Sequence, residues 1–430
     1  MSIATPAPLR PPTRLDRWLG SSQWARPLFV AGVAMLVLSV ASEVADAPTM
    51  TSSATFIAAI GATAPILLAG LGGLWSERAG IVNIGLEGMM VLGTWFAGYA
   101  GYMWGPWAAL IGGGVGGALG GLLLGLATIT FGVDHVVAGI AINLIAPGLC
   151  RFLSSELFVG RGDGTITQSP TMTSRMGKIT VPFISGGEFF GHSTPDPLGW
   201  IADQSWFFIS DVAALLKGFT TDMSYSTLIA LLMVPLTFYL LWRTAVGLRL
   251  RSSGERPSAA ESLGVPVYGI RYLAVTVSGF LAGLGGAWLV IDIRAYNQGQ
   301  TAGRGFQGLA ATIFGNWRPV GVFGGAGVFA YSQTLTQQIG TAPVLALFIV
   351  AAIVFAGLGI RLLTKRQFIA GLISLAVVPF ALYYYSITEK VSNQLVFITP
   401  YLVTLIVLAF SSQRLRPPAW DGRPWYRGME

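Results

Sequence analysis

The sequence predicts an all-α polytopic membrane protein, and three observations lead to that fold class. Hydrophobic residues make up 53% of the 430 residues, charged residues make up only 10%, and the mean hydropathy is +0.64. A soluble domain carries about 25% charged residues. The apolar residues form long stretches without charge, and a membrane-spanning helix needs about 20 of them. Together these observations exclude a soluble enzyme, a disordered chain and a secreted domain held by disulfides.

Uncharged stretches predict twelve crossings of the membrane. Five precede a polar region at 151–222, namely 27–42, 47–76, 81–102, 106–133 and 135–150. Seven follow it, at 223–242, 272–291, 305–317, two within 319–360, 367–388 and 391–413. The stretch 305–317 is too short for a full span, which indicates a half-helix, and it could either cross or re-enter. The first stretch could belong to a signal peptide. The basic segment before it is long, however, and no small-residue cleavage site follows it, which favours a retained helix.

The basic residues predict the orientation of these spans. With the N-terminus in the cytoplasm, 18 of the 26 Lys and Arg residues fall on the cytoplasmic side, as the positive-inside rule requires. The formal net charge of +7 therefore reflects a bilayer and not a nucleic-acid partner. The predicted organisation is a cytoplasmic tail at 1–26, a main membrane domain at 27–363, an additional helix pair at 364–413 and a second cytoplasmic tail at 414–430. Within the membrane domain, 151–222 is predicted as an outer loop region and 243–271 as a cytoplasmic loop.

Internal similarity indicates that one helical unit occurs twice. Four motifs recur in the same order: Gly70-Leu71-Gly72-Gly73 as Gly283-Leu284-Gly285-Gly286, Gly85-Leu86-Glu87-Gly88 as Gly305-Phe306-Gln307-Gly308, Trp104-Gly105-Pro106 as Trp317-Arg318-Pro319, and Gly112-Gly113 as Gly324-Gly325. The first copy begins after one crossing and the second after six, so the two are predicted to run in opposite senses. Inverted repeats of this kind are typical of transporters, with the substrate path at their junction.

Few residues could carry chemistry within the spans. Cys150 is the only cysteine, and His135 and His192 are too few for a zinc motif. No GxxxxGK[ST] sequence occurs, so the chain itself does not bind ATP in the P-loop manner. We therefore predict no catalytic residue, no metal and no cofactor.

Glu87 is the one carboxylate in an otherwise apolar predicted span. A charge at the bilayer centre costs about 2.5–3.5 kcal/mol, so such a residue should face a pore, a partner or a polar cluster. Asn83, four residues earlier, is predicted on the same helix face, and Gln307 is the predicted counterpart of Glu87. Two interpretations stay open, a polar lining for a hydrophilic solute and a hydrogen bond that holds a half-helix. Asn143, in the fifth span, has the same alternatives, with an interhelical hydrogen bond favoured.

The segment 243–271 contains a predicted short helix. Pro257 suits the first helical position, and Gly264 followed by Pro266 ends the helix. A helix of about seven residues is not stable alone in water, so it would be ordered by docking against something. The predicted apolar ridge consists of Ala259, Ala260 and Leu263. The segment is either a solvated surface loop or a short helix that docks into a groove on a soluble partner.

The stretch ERAGIVNIGLEGMM at 77–90 resembles the signature of permease subunits of bacterial ABC importers. More narrowly, it resembles the nucleoside-type branch of the ribose/branched-chain amino-acid permease family. Three further stretches are similar in the same order, VDHVVAGIAINLIA at 133–146, GERPSAAESLGV at 254–265 and GRGFQGLAATIFGNWRPVG at 303–321. The similarity covers about 57–363, and the pair of spans after it extends past the usual core.

The resemblance implies about ten core helices in inverted repeats, a transport subunit without enzymatic activity, and a location in the bacterial cell membrane. The map of twelve crossings places both termini in the cytoplasm. It implies four kinds of partner: a second permease subunit, identical or different, cytoplasmic ATPase subunits, an extracytoplasmic binding protein or lipoprotein, and a small polar solute, either a nucleoside or a simple sugar. The residues assigned to the substrate path are Asn83, Glu87, Asn143, Phe306 and Gln307. The residues assigned to ATPase coupling are Glu255, Arg256, Pro257, Ala259, Ala260, Glu261 and Gly264.

Two rival functions belong to other classes. An ion-coupled secondary transporter would use Glu87 as a proton or sodium site, and its uptake would fail with an ionophore. An intramembrane enzyme lacks support, because the sequence has no histidine cluster, no pair of intramembrane carboxylates and no Ser-His arrangement at a common depth.

Overall fold

The computed structural model describes residues 25–189, 191–337, 341–387 and 415–427, and within them the regular secondary structure is almost entirely helical. The α-helices are α1 (Ala25–Val44), α2 (Ser53–Arg78), α3 (Leu86–Trp104), α4 (Pro106–Gly125), α5 (His135–Leu157), α6 (Pro197–Asp203), α7 (Ile209–Gly218), α8 (Tyr225–Arg243), α9 (Ala245–Glu255), α10 (Pro257–Ser262), α11 (Val267–Ile293), α12 (Arg304–Phe314), α13 (Pro319–Gln337), α14 (Thr341–Thr364) and α15 (Phe368–Ile387). Four two-residue strands, β1 (Lys178–Ile179), β2 (Glu188–Phe189), β3 (His192–Ser193) and β4 (Met223–Ser224), pair as β1 with β4 and β2 with β3.

The helices confirm the predicted all-α membrane class. Eleven of the twelve predicted stretches contain a described helix, whereas 391–413 and the predicted tail up to residue 24 lie outside the described residues. Seven of the described helices are long and apolar enough to cross a membrane. α5 continues to Leu157, so it extends into the region 151–222 that was predicted as an outer loop.

The described chain forms two compact units. The smaller unit contains α1, nearly all of α6 and α7, and α14 and α15. In it α14 and α15 approach closely at two glycines, because a Cβ added to Gly359 would lie 3.2 Å from the carbonyl oxygen of Gly371, and the reverse distance is the same. Small residues at such crossings let two membrane helices pack backbone against backbone.

The larger unit contains α2 to α5 and α8 to α13, and its centre is a glycine-lined packing of α4 on α11. Gly117 of α4 faces Gly279 and Gly283 of α11 so closely that an added Cβ would collide with backbone atoms. Gly93 of α3 meets the same Gly283. The glycine-rich run of α4 is therefore a packing face, because no larger side chain fits between these helices.

The larger unit also contains the predicted repeat. In each copy a long helix is followed by a return segment without helix, a further helix, and then a helix that begins with proline, Pro106 in α4 and Pro319 in α13. The long helices are α2 and α11, and the helices after the return segments are α3 and α12. The order of elements thus recurs as the motifs predict.

The two copies run in opposite directions. We call the side that carries α10 and the end of α2 the α10 face, since Gly254 packs on Arg78 there. α11 ends on the opposite face, where the Arg294 carbonyl accepts a hydrogen bond from the Met172 amide at 2.8 Å. α3 also ends near Met172, whereas α12 leads to Trp317, which contacts Glu77 at the α10 face. The predicted half-helix is therefore α12, and 294–317 as a whole passes from one face to the other.

Candidate functional site

α3 and α12 begin side by side, and the Glu87 carboxylate joins their N-terminal ends. Glu87 Oε1 accepts a hydrogen bond from the Gly303 amide at 3.0 Å, and Oε2 accepts one from the Gly305 amide at 2.7 Å. The first amides of a helix have no partner inside the helix and carry partial positive charge, so a carboxylate there is stabilising. Glu87 is itself in the first turn of α3, so a single charge compensates two helix N-termini.

Asn143 of α5 binds the start of α3 from the other side. Its Oδ1 accepts a hydrogen bond from the Gly88 amide at 2.7 Å, and its Nδ2 donates to the Ile84 carbonyl oxygen at 2.9 Å. The N-cap residue of α3 is Gly85, which has no side chain to satisfy these groups. Asn143 therefore supplies the cap from a neighbouring helix, as the favoured interpretation of its sequence position predicted.

The prediction that Asn83 shares a helix face with Glu87 is wrong. α3 begins only at Leu86, so Asn83 lies in the non-helical return segment. Its side chain is fully buried, and Nδ2 donates to Ser278 Oγ of α11 at 2.8 Å. In this arrangement Asn83 holds the return segment against α11, and a solute cannot reach it.

Gln307 and Phe306 lie in the first turn of α12. Gln307 is buried, and its Oε1 accepts a hydrogen bond from Gln333 Nε2 of α13 at 2.7 Å. The Phe306 ring is 47% exposed. Counted from the first helical residue, Glu87 is second in α3 and Gly305 is second in α12, whereas the sequence motifs align Glu87 with Gln307. A Cβ on Gly305 would lie 2.5 Å from the Glu87 Cα, which explains why the second repeat has glycine there.

Asn83, Glu87 and Asn143 thus all lie at the start of α3, since Asn83 Nδ2 also donates to Met89 Sδ at 3.4 Å. Phe306 directly follows Gly305, whose amide binds Glu87. Each Glu87 oxygen accepts one backbone hydrogen bond, and a carboxylate oxygen has two lone pairs. Because Glu87 is only partly buried, the remaining lone pairs can accept hydrogen bonds from a hydroxyl or amine of a solute. The exposed ring of Phe306, next to Gly305 in the chain, adds a flat apolar surface.

The segment between α8 and α11 has the predicted short helix and a second helix that the sequence did not indicate. α10 begins with Pro257 and ends before Gly264, whose φ of +83° belongs to the left-handed region that glycine favours. α9, which the prediction missed, is capped by Thr244, whose hydroxyl accepts a hydrogen bond from the Gly247 amide at 3.1 Å. Threonine is a favoured N-cap residue, so Thr244 was the sequence signal that could have predicted the start of α9.

The predicted ridge of α10 is only partly correct. Ala259 is exposed and Leu263 is 85% exposed, but Ala260 is buried against Val267 and Trp425. Successive residues of a helix point about 100° apart, so Ala259 and Ala260 cannot face the same way. Pro257 is buried as well.

A groove of about 370 Å³ lies beside the exposed residues of α10. Its lining is formed by Ser252, Glu255, Arg256, Ala259, Ala260, Leu263, Val265 and Ala419. The floor is apolar and Glu255 and Arg256 contribute charge, so the groove suits an apolar side chain flanked by charged groups. Glu261, on the other hand, is engaged within the chain, since its Oε1 accepts a hydrogen bond from Arg427 Nε at 2.6 Å.

A polar cluster at the α10 face joins the two repeats and was not predicted. The Trp317 indole N–H donates to Glu77 Oε2, and Arg78 donates to the Trp317 carbonyl oxygen, with its Nη2 at 2.7 Å. Arg78 also lies 4.0 Å from Glu255. The end of α2 is thus bonded to the end of the α12 segment, and it lies next to the segment that carries α10.

The sequence is similar to known transport subunits. A family model described as branched-chain amino acid transport system / permease component matches residues 55–358. The chain is 33% identical over 281 residues to the guanosine ABC transporter permease protein NupQ of Bacillus subtilis, covering 64% of this chain and 78% of NupQ. It is 34% identical over 288 residues to the nucleoside ABC transporter permease protein NupC of Lactococcus lactis, covering 65% and 80%.

A third relative has a different solute in its name. The putative glucose ABC transporter permease protein TsgC13 of Haloferax volcanii is 34% identical over 288 residues, which cover 65% of this chain and 75% of the relative. No solved structure matches the chain.

Proposed function

This chain belongs to the family of permease components of branched-chain amino acid transport systems, and we propose that it forms the translocation path for a nucleoside. It is a multi-pass membrane subunit of an ABC importer and not an enzyme, as its relatives are ABC transporter permeases. ATP hydrolysis in such importers occurs on separate ATPase subunits.

The observation that carries the nucleoside proposal is that the partly buried Glu87 carboxylate binds the Gly305 amide, and that the next residue, Phe306, has an exposed ring. Each Glu87 oxygen has one lone pair that the backbone amides do not use, and this lone pair can accept a hydrogen bond from a ribose hydroxyl. A nucleobase can stack on the Phe306 ring, since offset stacking stabilises an aromatic pair in addition to the apolar surface area that it buries. A simple sugar offers the hydroxyls but no aromatic face. Two of the three relatives described above are also named for nucleosides.

We place the α10 face in the cytoplasm. Basic residues of the segments at this face, including Arg249, Arg251 and Arg256, agree with the positive-inside rule. In this orientation the β-strands and the Met172 region face outward, where a binding protein or lipoprotein would deliver the solute. A second permease subunit, identical or different, would complete the pathway.

We propose α10 as the coupling helix that docks on an ATPase subunit. Ala259 and Leu263 are exposed next to the groove, so a partner side chain could bury them. ATP binding would close the ATPase pair and move α10, and the helices would then shift between outward-open and inward-open arrangements. Such a shift requires that nucleotide and solute favour different arrangements.

Nucleoside uptake by the complete transporter tests the proposed solute. Phe306→Ala should lower uptake of a radiolabelled nucleoside by about 10-fold, since an aromatic contact contributes about 0.5–1.5 kcal/mol beyond its buried area. Uptake of glucose, measured in parallel, should stay low in both proteins. Phe131→Ala is a matched control, because Phe131 is also exposed but lies in the connection between α4 and α5, just after a π-helical turn at 126–130. Glucose as the transported solute, with no nucleoside uptake, would contradict the proposal.

The rival ion-coupled function makes the opposite prediction in the same assay. Uptake through an ABC importer should continue when an ionophore collapses the ion gradients and should stop when the ATPase subunit is inactivated. Ion-coupled uptake would stop with the ionophore and would not require the ATPase.

A bulky side chain on the exposed face of α10 should prevent ATPase docking. Ala259→Trp is expected to reduce copurification of the ATPase subunit and ATP-driven uptake by about 10-fold or more, because overpacking a closely fitted contact costs about 1–3 kcal/mol. Membrane insertion should be unchanged, since Ala259 is exposed. Ser262→Trp, at an exposed position outside the groove lining, is the control. Normal assembly and uptake with Ala259→Trp would remove α10 from the docking surface.

A further inference from the structure

Residues 415–427 lie across the α10 face and bond to connections from both repeats. The Arg416 amide donates to Asn316 Oδ1 at 2.8 Å, next to the polar cluster that ends the α12 segment. The Trp420 amide donates to the Gly254 carbonyl oxygen at 2.9 Å, at the end of α9. The Gly422 amide donates to the Gly80 carbonyl oxygen at 3.3 Å, just after α2. We call residues 415–427 the strap.

The strap is anchored beneath α10 by an indole. Trp425 is only 4% exposed and packs with Ala260 and Val267. Its ring centroid lies 5.3 Å from that of Tyr268, and the Arg271 guanidinium lies 5.7 Å from it. A buried aromatic side chain is a large apolar contribution, and a cation over its face adds to it. The inner side of α10 therefore rests on the strap, and the strap rests on α11.

The strap has a buried carboxyl on its inner side and an ion pair at its outer edge. Burial raises the pKa of the Asp421 carboxyl to about 7, although Arg271 and Arg78 act in the opposite direction. Glu77 is the other charged neighbour, and its carboxylate repels that of Asp421. At the outer edge Arg427 pairs with Glu261 of α10, and the Arg427 amide donates to the Tyr268 hydroxyl at 3.2 Å.

The strap also forms one wall of the groove beside α10. Ala419 lines this groove together with Ala259 and Leu263, and its amide donates to Glu255 Oε2 at 3.2 Å. Ala419 is exposed in the chain as described. A protein that fills the groove along α10 must therefore touch the strap as well, because the two surfaces are continuous.

We propose that the strap is a second docking and coupling element for the ATPase subunit. It completes the groove with Ala419, and it connects α10 to the ends of α2 and of the α12 segment. A displacement of α10 then reaches both repeats together, and not only through the covalent links to α8 and α11. This inference rests on the proposed ABC coupling of α10, and it adds a segment far from α10 in the sequence to that interface.

Removing the anchor should separate ATP hydrolysis from uptake. Trp425→Ala should weaken the seating of the strap by ~100-fold or more, since truncating a buried tryptophan costs several kcal/mol. In the complete transporter we expect the ATPase to remain bound through α10, nucleoside uptake to fall by about 10-fold, and the ATP hydrolysed per solute to rise. Pro424→Ala, at the adjacent exposed position, should behave as wild type. Unchanged uptake and an unchanged ATP-to-solute ratio in Trp425→Ala would overturn the inference.

Cross-linking tests the contact without disturbing the fold. Cys150 is fully buried, so a cysteine introduced by Ala419→Cys would be the reactive thiol, and a thiol-linked photocross-linker on it should capture the ATPase subunit. Ala259→Cys should capture it as well, and Glu188→Cys on the opposite face should not. Capture from position 259 without capture from 419 overturns the strap contact alone. Capture from neither position, with uptake that needs no ATPase, overturns the proposed function itself.

Discussion

Gly305→Ala is expected to lower nucleoside uptake by about 10-fold or more although it adds only one methyl group. The added Cβ would lie 2.5 Å from the Glu87 Cα and 2.6 Å from its backbone nitrogen. Backbone atoms cannot rotate away as a flexible side chain can, so α12 must move away from α3. That movement would stretch the 2.7 Å hydrogen bond from the Gly305 amide to Glu87. Overpacking of this kind costs about 1–3 kcal/mol, so we expect uptake to fall by about 10-fold to 100-fold.

A second glycine separates the steric effect from the change in helix propensity. Gly324→Ala makes the same chemical change inside α13, where an added Cβ would meet no atom within 4 Å. Alanine favours a helix over glycine by roughly 1 kcal/mol, so this variant should be at least as stable as wild type. The comparison uses initial uptake rates and the thermal stability of the purified permease. Equal uptake by both variants would show that transport does not need the close approach of α3 and α12.

The fold class follows from the sequence because membrane helices must satisfy their backbone hydrogen bonds internally, which makes length and hydropathy informative. The half-helix at 305–317 was predictable for the same reason, since its apolar stretch is too short for a span. The direction of a repeat was also predictable from the crossing count. These inferences use properties averaged over many residues.

The start of a helix and the direction of an individual side chain were predicted less well, because each depends on the contacts of single residues. Asn83 was expected on a helix because the apolar run continues through it, but α3 starts at Leu86 and is capped by Asn143 from a distant helix. Ala260 was placed on the exposed ridge because a six-residue helix is too short to show a periodic pattern. The strap has no hydropathy signal at all, and its role depends on contacts between residues far apart in the sequence, such as Trp425 with Ala260.

Glu87→Gln is expected to insert and fold but to transport poorly. The glutamine side chain has nearly the same shape as glutamate, but only one of its two terminal atoms is an acceptor oxygen. The other is an NH₂ group, which would face a backbone N–H, so that two hydrogen-bond donors would oppose each other. One of the two bonds to Gly303 and Gly305 is then lost together with the charge that compensates two helix N-termini. Hydrogen bonds to charged groups contribute about 1.5–3 kcal/mol, which predicts a decrease in uptake of about 10-fold to 100-fold.

The kinetic form of that decrease separates the two interpretations of Glu87. If the carboxylate only holds α12 against α3, the maximal rate should fall while the KM for the nucleoside stays constant. If its remaining lone pairs also accept hydrogen bonds from the solute, the KM should rise as well, and we expect this second result because Glu87 is only partly buried. Glu156→Gln makes the same change at an exposed position of α5 and should leave both constants as they are. Normal uptake with Glu87→Gln would exclude the role of holding α12, since that role requires an acceptor at both oxygens, and an unchanged KM would exclude the contact with the solute.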